Sequence, residues 1–518
     1  MYDYLISGGT IVDGSGLPRY QADLAIVGDR IAAIGKFPNA VAARQIDARG
    51  LIVAPGMVDA HVHGDLILFH DPTHEAAIRQ GVTTYIIGQD GVAMAPAGPK
   101  TLDYMRRYTA AFNGNYPTPG LDWQTLEEYL NCFNNRVGMN AAALLPNGNI
   151  RMEVMGLEKR PPTATELKQM RHLVREGMEQ GAVGLSSGLD YIPSLYADVA
   201  EFVALCEEIA PYNGVYVTHM RGYTPAAYLT AMEEVAQISL GANCAVHISH
   251  FNSVASMVIP KMDEMQARGV DLTFDLYCYL FGSTLLNMLC LPQEVQSGGI
   301  EATLERLRAD DIRQRMRGWM DNPRFDIRKI ILGSVPAAQF QHLEGKTLTE
   351  AAADTGLAIP DLIIELLLAT QLATNGICPH QPGRNDQDIV ALMRDHRMMA
   401  GSDGIYVGGH PHPRGRGCFA RYLGHYVRNG AWTLEQAVMK CSRHPARRHG
   451  LHDRGLLAPG CAADIAVFSA TEIQDHAMFE QPNLLATGMH HVLVNGIPVL
   501  QEGVMTNSLP GKGLRRTF

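Results

Sequence analysis

The chain has 518 residues, of which 46% are hydrophobic and 19% charged, and its formal net charge is −10 at pH 7. This composition is typical of a large globular protein and excludes intrinsic disorder, and an acidic balance without a basic stripe argues against a nucleic-acid partner. No uncharged apolar run reaches the roughly 18 to 20 residues that a membrane-spanning helix needs, so no membrane partner is expected.

The N-terminus and the cysteines indicate the compartment. The first residues lack the basic and apolar segments of an export signal and run directly into strand-like sequence. The nine cysteines are scattered, odd in number and contain no CxxC pair, which argues against a disulfide framework or a cysteine zinc site. We therefore expect a reducing, cytoplasmic location.

The opening segment is rich in short β-type runs. Residues 4–34 alternate these runs with turn signals such as Gly8-Gly9, Asp13-Gly14 and Gly28-Asp29. This pattern predicts a small antiparallel sheet.

The long middle of the chain, residues 55–454, has the alternating strand and helix pattern of a parallel βα architecture. Helices are predicted at 164–181 and 198–209, the first entered through Thr163 and Thr165, which suit an N-cap. Eight strands, as predicted, favour a closed (β/α)8 TIM barrel, with insertions over its mouth near 91–140 and 281–329. The predicted strands are 57–61, 83–88, 141–145, 182–185, 215–218, 245–249, 272–276 and 398–401.

The tail returns to short β-type runs at 463–468, 492–494 and 497–500. Asn495-Gly496 between two apolar runs is a strong hairpin signal. Because the two ends of a domain often lie close together, both segments are expected to form one small β domain of residues 1–54 plus 455–518.

Histidines and carboxylates collect at the carboxyl ends of the predicted barrel strands. His61 and His63 end the first strand and, being two residues apart, project from one face. Each group alone has an ordinary explanation, such as a core histidine or a helix-capping aspartate. Together they form an imidazole and carboxylate set that suits Zn²⁺, Mn²⁺ or Fe²⁺. The groups on later strands are Asp90, His219, His250 and Asp403.

These residues lie in longer motifs that resemble the amidohydrolase superfamily and, within it, the N-acyl-D-amino-acid deacylases, also called D-aminoacylases. The resemblance covers nearly the whole chain. It implies a metal-bearing (β/α)8 barrel with a small β-sandwich domain built from both chain ends. The motifs are PGMVDAHVH at 55–63, GLSSGLDY at 184–191, THMR at 218–221, ISH at 248–250, TFDLY at 273–277, GSDG at 401–404 and HPRG at 412–415.

The resemblance also implies roles. His61 and His63 are expected to hold one metal ion, and His219 with His250 a more tightly bound one. The implied reaction is hydrolysis of a C–N amide bond in a small molecule, with an N-acyl-D-amino acid or a close relative as the leading substrate. Asp403 is expected to accept the proton of a metal-activated water and to pass it to the leaving amine. The expected cofactor is Zn²⁺, one or two ions, with Mn²⁺ or Fe²⁺ as alternatives.

One departure from the family pattern concerns the metal bridge. Where these deacylases carry a cysteine in Gly-Asn-Cys-Gly, this chain has Gly88-Gln89-Asp90-Gly91. Many superfamily members bridge two metals with a carbamylated lysine instead, but residues 184–191 contain no lysine. Asp90 is therefore the predicted bridging ligand, with a simple turn cap as the alternative.

Two further departures concern the substrate. Asn147 stands in Pro146-Asn147-Gly148, where the family has Gly-His-Gly, and Asn252 follows His250 where the family has a lysine. An amide can hydrogen-bond but cannot supply the positive charge that pairs with a carboxylate. The sequence thus leaves open whether the substrate carries a free carboxylate, with both asparagines as candidate binding residues.

Four other residues are candidate substrate contacts. Tyr277 and Tyr279 resemble the Tyr-Pro-Tyr of the family, and wall packing is the alternative. Arg221 and Arg414 can grip an anionic group, and structural ion pairs are the alternative.

Two rival functions remain at this point. One is a hydrolase of another amide, such as a dipeptide, a cyclic amide or a carbamoyl compound. The other is a non-catalytic scaffold barrel, but such relatives typically lose metal ligands, whereas this chain retains the four histidines and Asp403. The sequence gives no indication of the oligomeric state.

Overall fold

The computed structural model describes residues 1–320, 326–380 and 383–516. Its strands are β1 (Tyr2–Ile11), β2 (Tyr20–Val27), β3 (Arg30–Gly35), β4 (Ala42–Asp47), β5 (Ile52–Pro55), β6 (Met57–Asp59), β7 (Val82–Ile87), β8 (Asn140–Ala143), β9 (Leu145–Pro146), β10 (Gly184–Gly188), β11 (Val215–His219), β12 (Ala245–Ile248), β13 (Leu272–Leu276), β14 (Phe281–Leu285), β15 (Ile331–Ser334), β16 (Asn375–Pro379), β17 (Met398–Ala400), β18 (Ile465–Phe468), β19 (Met489–Val494), β20 (Ile497–Gln501), β21 (Val504–Met505) and β22 (Gly513–Leu514).

Its α-helices are α1 (Ile67–His70), α2 (Glu75–Ile78), α3 (Pro99–Tyr108), α4 (Ala110–Asn113), α5 (Leu126–Phe133), α6 (Asn147–Met155), α7 (Ala164–Glu179), α8 (Val199–Ile209), α9 (Pro225–Ala242), α10 (Ala255–Ala267), α11 (Leu286–Cys290), α12 (Gln293–Gln296), α13 (Gly299–Leu307), α14 (Asp310–Met320), α15 (Leu348–Thr355), α16 (Ile359–Ala369), α17 (Asp386–Arg394), α18 (Arg414–Leu423), α19 (His425–Arg428), α20 (Leu434–Cys441) and α21 (Arg443–Arg448). None of the helices within the described residues is long and apolar enough to cross a membrane.

The predicted parallel barrel is confirmed. β6, β7 and β8 are neighbours in one sheet, and β9 to β13 with β17 follow in another. The two sheets are continuous, because the amide of Val183 donates to the carbonyl of Ala143 at 3.0 Å and that of Ala60 to Ala400 at 3.1 Å. The second bond joins the last strand to the first, so the strands close on themselves. Their carboxyl ends therefore surround one shared space.

The barrel strands are buried because helices cover their outer faces. Every residue of β7 is buried, as expected for a parallel strand. Both predicted helices are confirmed, as α7 and α8. Thr163 caps α7 in a reciprocal capping box with Glu166, and Asp198 caps α8. These caps position the helices against the strands that carry the site.

The two chain ends share one sheet, as predicted. β18 pairs with β5 in antiparallel register, and β19 to β21 extend the sheet on that side. Asn495 and Gly496 form the β19–β20 turn with φ values of 50° and 77°, the left-handed pair that a type I′ hairpin requires. The predicted antiparallel sheet of residues 4–34 is confirmed, because β1 pairs with β2 and β2 with β3 in antiparallel register. The same sheet also contains β4 and β5, which run parallel to β1. The domain boundaries at 54 and 455 stay a prediction.

A large insertion separates β13 from β17. It contains the antiparallel sheet β14-β16-β15 and helices α11 to α16. Its apolar core, which includes Leu304, Leu332 and Leu367, is separate from the barrel core and is shared with α3 and α4. The sequence indicated an insertion near 281–329, but the inserted sheet continues to Pro379, because β14 pairs with β16. The other predicted insertion, near 91–140, holds α3 to α5. Both lie at the carboxyl ends of barrel strands.

Candidate metal centre

The predicted ligands converge on Asp90 at the mouth of the barrel. Its Oδ1 lies 3.7 Å from Nε2 of both His61 and His250. Its Oδ2 lies 3.7 Å from Nε2 of His63 and 3.9 Å from Nδ1 of His219. One carboxylate therefore faces all four predicted histidines with its two oxygens, which is the placement expected of a bridging ligand.

Asp403 follows β17, the last barrel strand, and approaches the same histidines from there. Its Oδ1 is 3.2 Å from Nε2 of His63 and 3.7 Å from Nε2 of His61. Its Oδ2 is 2.8 Å from Nη1 of Arg414, which is fully buried. One oxygen of Asp403 thus faces the histidines while the other is held by a cation.

The geometry of these groups fits a divalent cation. Two ligands of a tetrahedral zinc ion at about 2.0 to 2.1 Å lie about 3.3 Å apart, close to most of the separations above. Nε2 of His61 and Oδ1 of Asp90 are buried with no hydrogen-bond partner among the described residues. Such buried polar atoms are costly unless something binds them. Two groups can each enclose an ion: His61, Asp90 and His250, and His61, His63 and Asp403.

The electrostatics also favour a cation. Burial lowers the pKa of His61, but Asp275, Asp90 and Asp403 outweigh burial and raise it to about 9. Burial likewise raises the pKa of Asp403, and Arg414 with the neighbouring histidines lowers it to about 2. The carboxylates thus stay ionised and attract positive charge to the centre.

Three of the six predicted metal ligands have a left-handed backbone conformation. The φ values are 58° at Asp90, 35° at His250 and 50° at Asp403. Residues other than glycine rarely adopt this conformation, which costs about 1 to 3 kcal/mol at each position. The preceding strands end at these points, and the sharp turn aims each side chain inward.

Asp275 contacts three histidines, a role that the sequence did not reveal. Its Oδ2 is 3.4 Å from Nδ1 of His61 and 2.9 Å from Nε2 of His247, and its Oδ1 accepts the amide hydrogen of His250 at 2.8 Å. A carboxylate behind a ligand histidine fixes the ring and its tautomer. In the sequence, Asp275 stands in the TFDLY motif at 273–277, near the end of a predicted barrel strand.

A cavity of about 530 Å³ opens over the centre. Its floor includes His63, Asp90 and Asp403, and its wall includes Asp190, which no sequence prediction singled out. Oδ2 of Asp190 lies 3.4 Å from Nε2 of His219. The predicted ligands are thus reachable by a small molecule.

Three of the six predicted substrate contacts lie at this cavity. Asn252 and Tyr277 line it. Arg414 lies directly behind the lining, with its guanidinium 4.5 Å from the ring centre of Tyr277. The structure brings these three together around Asp403.

The other three predicted contacts lie away from the cavity lining. Asn147 donates to Glu201 at 3.3 Å in a buried cluster. Arg221 forms an ion pair with Glu234 at 3.1 Å and donates to two carbonyl groups. Tyr279 is buried beneath Arg421, whose guanidinium is 5.3 Å from the ring centre. Arg221 and Tyr279 thus have the structural roles that the sequence left as the alternatives, and Asn147 has a structural partner that the sequence did not indicate.

The grouping of ligands gives a first prediction. The sequence paired His61 with His63 and His219 with His250, whereas the structure places His61 in both enclosing groups. We expect His61→Ala to lose nearly all bound metal, because both enclosing groups lose a ligand, and His63→Ala to retain metal at His61, Asp90 and His250. Elemental analysis of the purified variants measures this. His74→Ala, which removes a buried histidine bonded to Tyr85, is the control; full metal content in His61→Ala would contradict the grouping.

Comparison with known proteins agrees with this site. The model of the amidohydrolase family matches residues 44–500. A D-aminoacylase of Alcaligenes xylosoxydans xylosoxydans is 33% identical over 100% of this chain and 98% of its own length, and an N-acyl-D-glutamate deacylase of the same organism is 34% identical over 99% and 96%. An N-acyl-D-glutamate deacylase from Bordetella bronchiseptica, crystallised with zinc and a phosphonate mimic of the tetrahedral intermediate, superimposes with a TM-score of 0.84 at 30% identity over 99% of both chains.

These matches extend over the barrel, the insertions and the sheet formed by the chain ends. They agree with the convergence of four histidines and two aspartates at the barrel mouth. The chain therefore belongs to the amidohydrolase family, within its group of N-acyl-D-amino-acid deacylases, and is a metal-dependent hydrolase.

Proposed function

We propose that this enzyme removes the acyl group from N-acyl-D-amino acids whose side chain is neutral and apolar. The observation that carries the proposal is the placement of Asp90 and Asp403 among four histidines on the floor of the cavity. The ions that fit are one or two Zn²⁺, with Mn²⁺ or Fe²⁺ as alternatives. The residues proposed to hold them are His61, His63, Asp90, His219, His250 and Asp403.

Asp403 is the proposed proton carrier. A divalent cation held by these residues would lower the pKa of a water molecule and polarise the amide carbonyl. Arg414 keeps Asp403 ionised, so its free oxygen can accept a proton as the water attacks. The same carboxyl group then gives the proton to the departing amine nitrogen, which leaves poorly as an anion.

The cavity wall supports an apolar substrate side chain. Met288, Leu289 and Leu291 line it, and none of the lining residues that the structure describes is a lysine or an arginine. The charged side chains of the wall are Asp190 and Glu294. An acidic side chain would therefore meet a wall that bears carboxylates and no lysine or arginine among its described lining residues, and like charges brought together are unfavourable.

The experiment is a substrate panel with the metal-loaded enzyme. We expect N-acetyl-D-methionine and N-acetyl-D-leucine to be hydrolysed with a kcat/KM at least about 100-fold above that for N-acetyl-D-glutamate, since like-charge contacts discriminate at this scale. The L-enantiomers are the matched controls, and a chelator should abolish turnover. Preference for N-acetyl-D-glutamate would overturn the side-chain proposal. Hydrolysis of dipeptides or cyclic amides alone would favour the rival amide hydrolase.

The cytoplasmic location stays part of the proposal. It is supported by the cysteines, none of which forms a disulfide in the structure. A small-molecule substrate is the proposed partner.

A further inference from the structure

Arg384 is a buried cation beside the substrate cavity. It follows β16 and is 8% exposed. Its Nη1 donates to the carbonyl of Tyr279 at 3.0 Å and its Nη2 to Oδ1 of Asn252 at 2.7 Å. No carboxylate of the described residues forms an ion pair with it. A buried guanidinium with neutral partners is costly, so its position calls for an explanation.

The contact between Arg384 and His380 fixes the tautomer of His380. Nη1 of Arg384 also lies within hydrogen-bond distance of Nδ1 of His380. A guanidinium only donates, so Nδ1 must accept, and the proton of the neutral ring must be on Nε2. Burial, together with the charge of Arg384 and its neighbours, lowers the pKa of His380 well below its usual range. The ring is therefore neutral.

The tautomer of His380 determines the direction of its hydrogen bond with Tyr277. Nε2 of His380 lies 2.9 Å from the Tyr277 hydroxyl oxygen. Because Nε2 carries the proton, it donates and the hydroxyl oxygen accepts. The hydroxyl hydrogen must then point elsewhere, and the described residues offer it no acceptor. The Tyr277 hydroxyl can therefore donate its hydrogen to a bound molecule.

The Tyr277 hydroxyl lies at the cavity. Tyr277, His380 and Gly282 all line the cavity. A Cβ added at Gly282 would lie 3.1 Å from the Tyr277 hydroxyl and 3.2 Å from Nε2 of His380. The missing side chain at Gly282 therefore keeps the hydroxyl accessible, while Arg414 against the ring face of Tyr277 holds the ring in place.

We propose that Arg384 and His380 are positioning residues that hold Tyr277 as a hydrogen-bond donor to a charged oxygen of the bound substrate. The proposal rests on the proposed function, because it needs an N-acyl amino acid in the cavity. The charged oxygens available are the substrate carboxylate and the oxyanion that forms from the amide carbonyl. Both accept strongly from a fixed hydroxyl.

A double-mutant cycle tests whether Arg384 acts through His380 on Tyr277, an arrangement that we call the relay. Tyr277→Phe removes the donor and should lower kcat/KM about 10- to 100-fold, as expected for a bond to a charged acceptor. Arg384→Met should lower it about 2- to 10-fold, because the hydroxyl is free to turn back towards His380. In the Tyr277→Phe background, Arg384→Met should have almost no further effect. A rise in KM identifies the carboxylate as the acceptor, and a fall in kcat the oxyanion.

Arg421→Met is the matched control. Arg421 is another arginine next to Tyr279, but it forms an ion pair with Asp475 and does not contact His380 or Tyr277 in any described bond. Arg421→Met should change kcat/KM by the same factor in the unmutated protein and in Tyr277→Phe. If the effects of Arg384→Met and Tyr277→Phe on kcat/KM instead multiply fully, Arg384 does not act through Tyr277 and the relay is wrong.

A readout without turnover separates the relay from the proposed function. Nitrogen NMR of histidine-labelled protein should show His380 neutral with the proton on Nε2, and Arg384→Met should populate the other tautomer. A proton on Nδ1 in the unmutated protein would overturn the relay. Should Arg384→Met fail to fold, His380→Phe in the same cycle replaces it. Absence of hydrolysis with the expected tautomer would contradict only the proposed function.

Discussion

Asp403→Asn should lower kcat/KM by at least about 10²- to 10⁴-fold, the usual contribution of general acid and base catalysis. The amide keeps the size and left-handed backbone of the aspartate but cannot accept the proton of the attacking water. Arg414 keeps the native carboxylate ionised through a 2.8 Å contact, so the unmutated enzyme holds the basic form. Steady-state kinetics with an N-acyl-D-amino acid measures the effect.

Two measurements accompany this variant. Thermal unfolding reports the cost of leaving Arg414 without its ion pair, since removing one partner of a buried pair is destabilising. Metal analysis should still find an ion with His61, Asp90 and His250. Asp361→Asn, which alters an aspartate paired with Arg317 far from the site motifs, is the control. Activity within tenfold of the unmutated enzyme would place the base elsewhere.

Asp90→Ala should remove metal and activity together. Asp90 faces all four histidines at 3.7 to 3.9 Å, so its loss removes the carboxylate that they share. Loss of groups that merely orient ligands costs 10- to 100-fold in metal affinity or activity, and a direct ligand should cost at least about 100-fold. Elemental analysis and kinetics on one preparation measure both effects.

The companion variants separate charge from backbone. Asp90→Asn tolerates the φ of 58° but loses the negative charge, and it should bind metal weakly. Asp90→Cys restores an anionic ligand and should keep metal with a preference shifted from Mn²⁺ towards Zn²⁺, because a thiolate is a soft ligand. Unchanged metal content in Asp90→Ser would show that Asp90 only caps the turn.

Much of the centre could be predicted from the sequence. The barrel strands have continuous apolar runs, and parallel strands end on one side, so His61, Asp90 and Asp403 had to meet. The Asn495-Gly496 hairpin was equally local, since its turn geometry depends on two residues. Where the pattern is confined to a few neighbouring residues, the sequence was sufficient.

What escaped prediction depends on contacts between distant segments. β14 pairs with β16 across the helices of the insertion, and no local pattern encodes such a partner. Arg384 reaches His380 and Asn252 only because that pairing returns the chain to the barrel mouth. The Cys-to-Asp change at position 90 was visible in the sequence, but the equal reach of its carboxylate to four histidines required coordinates.

The insertion between β13 and β17 separates two kinds of evolutionary change. The proposed metal ligands stand on the barrel, whereas Met288, Leu289 and Leu291 of the cavity wall belong to a segment packed around an apolar core separate from that of the barrel. Mutations in that segment can reshape the wall without moving a ligand. Selectivity in this architecture can therefore drift or be engineered while the hydrolytic chemistry stays intact, which suits an enzyme group whose members differ in the amino acid that they release.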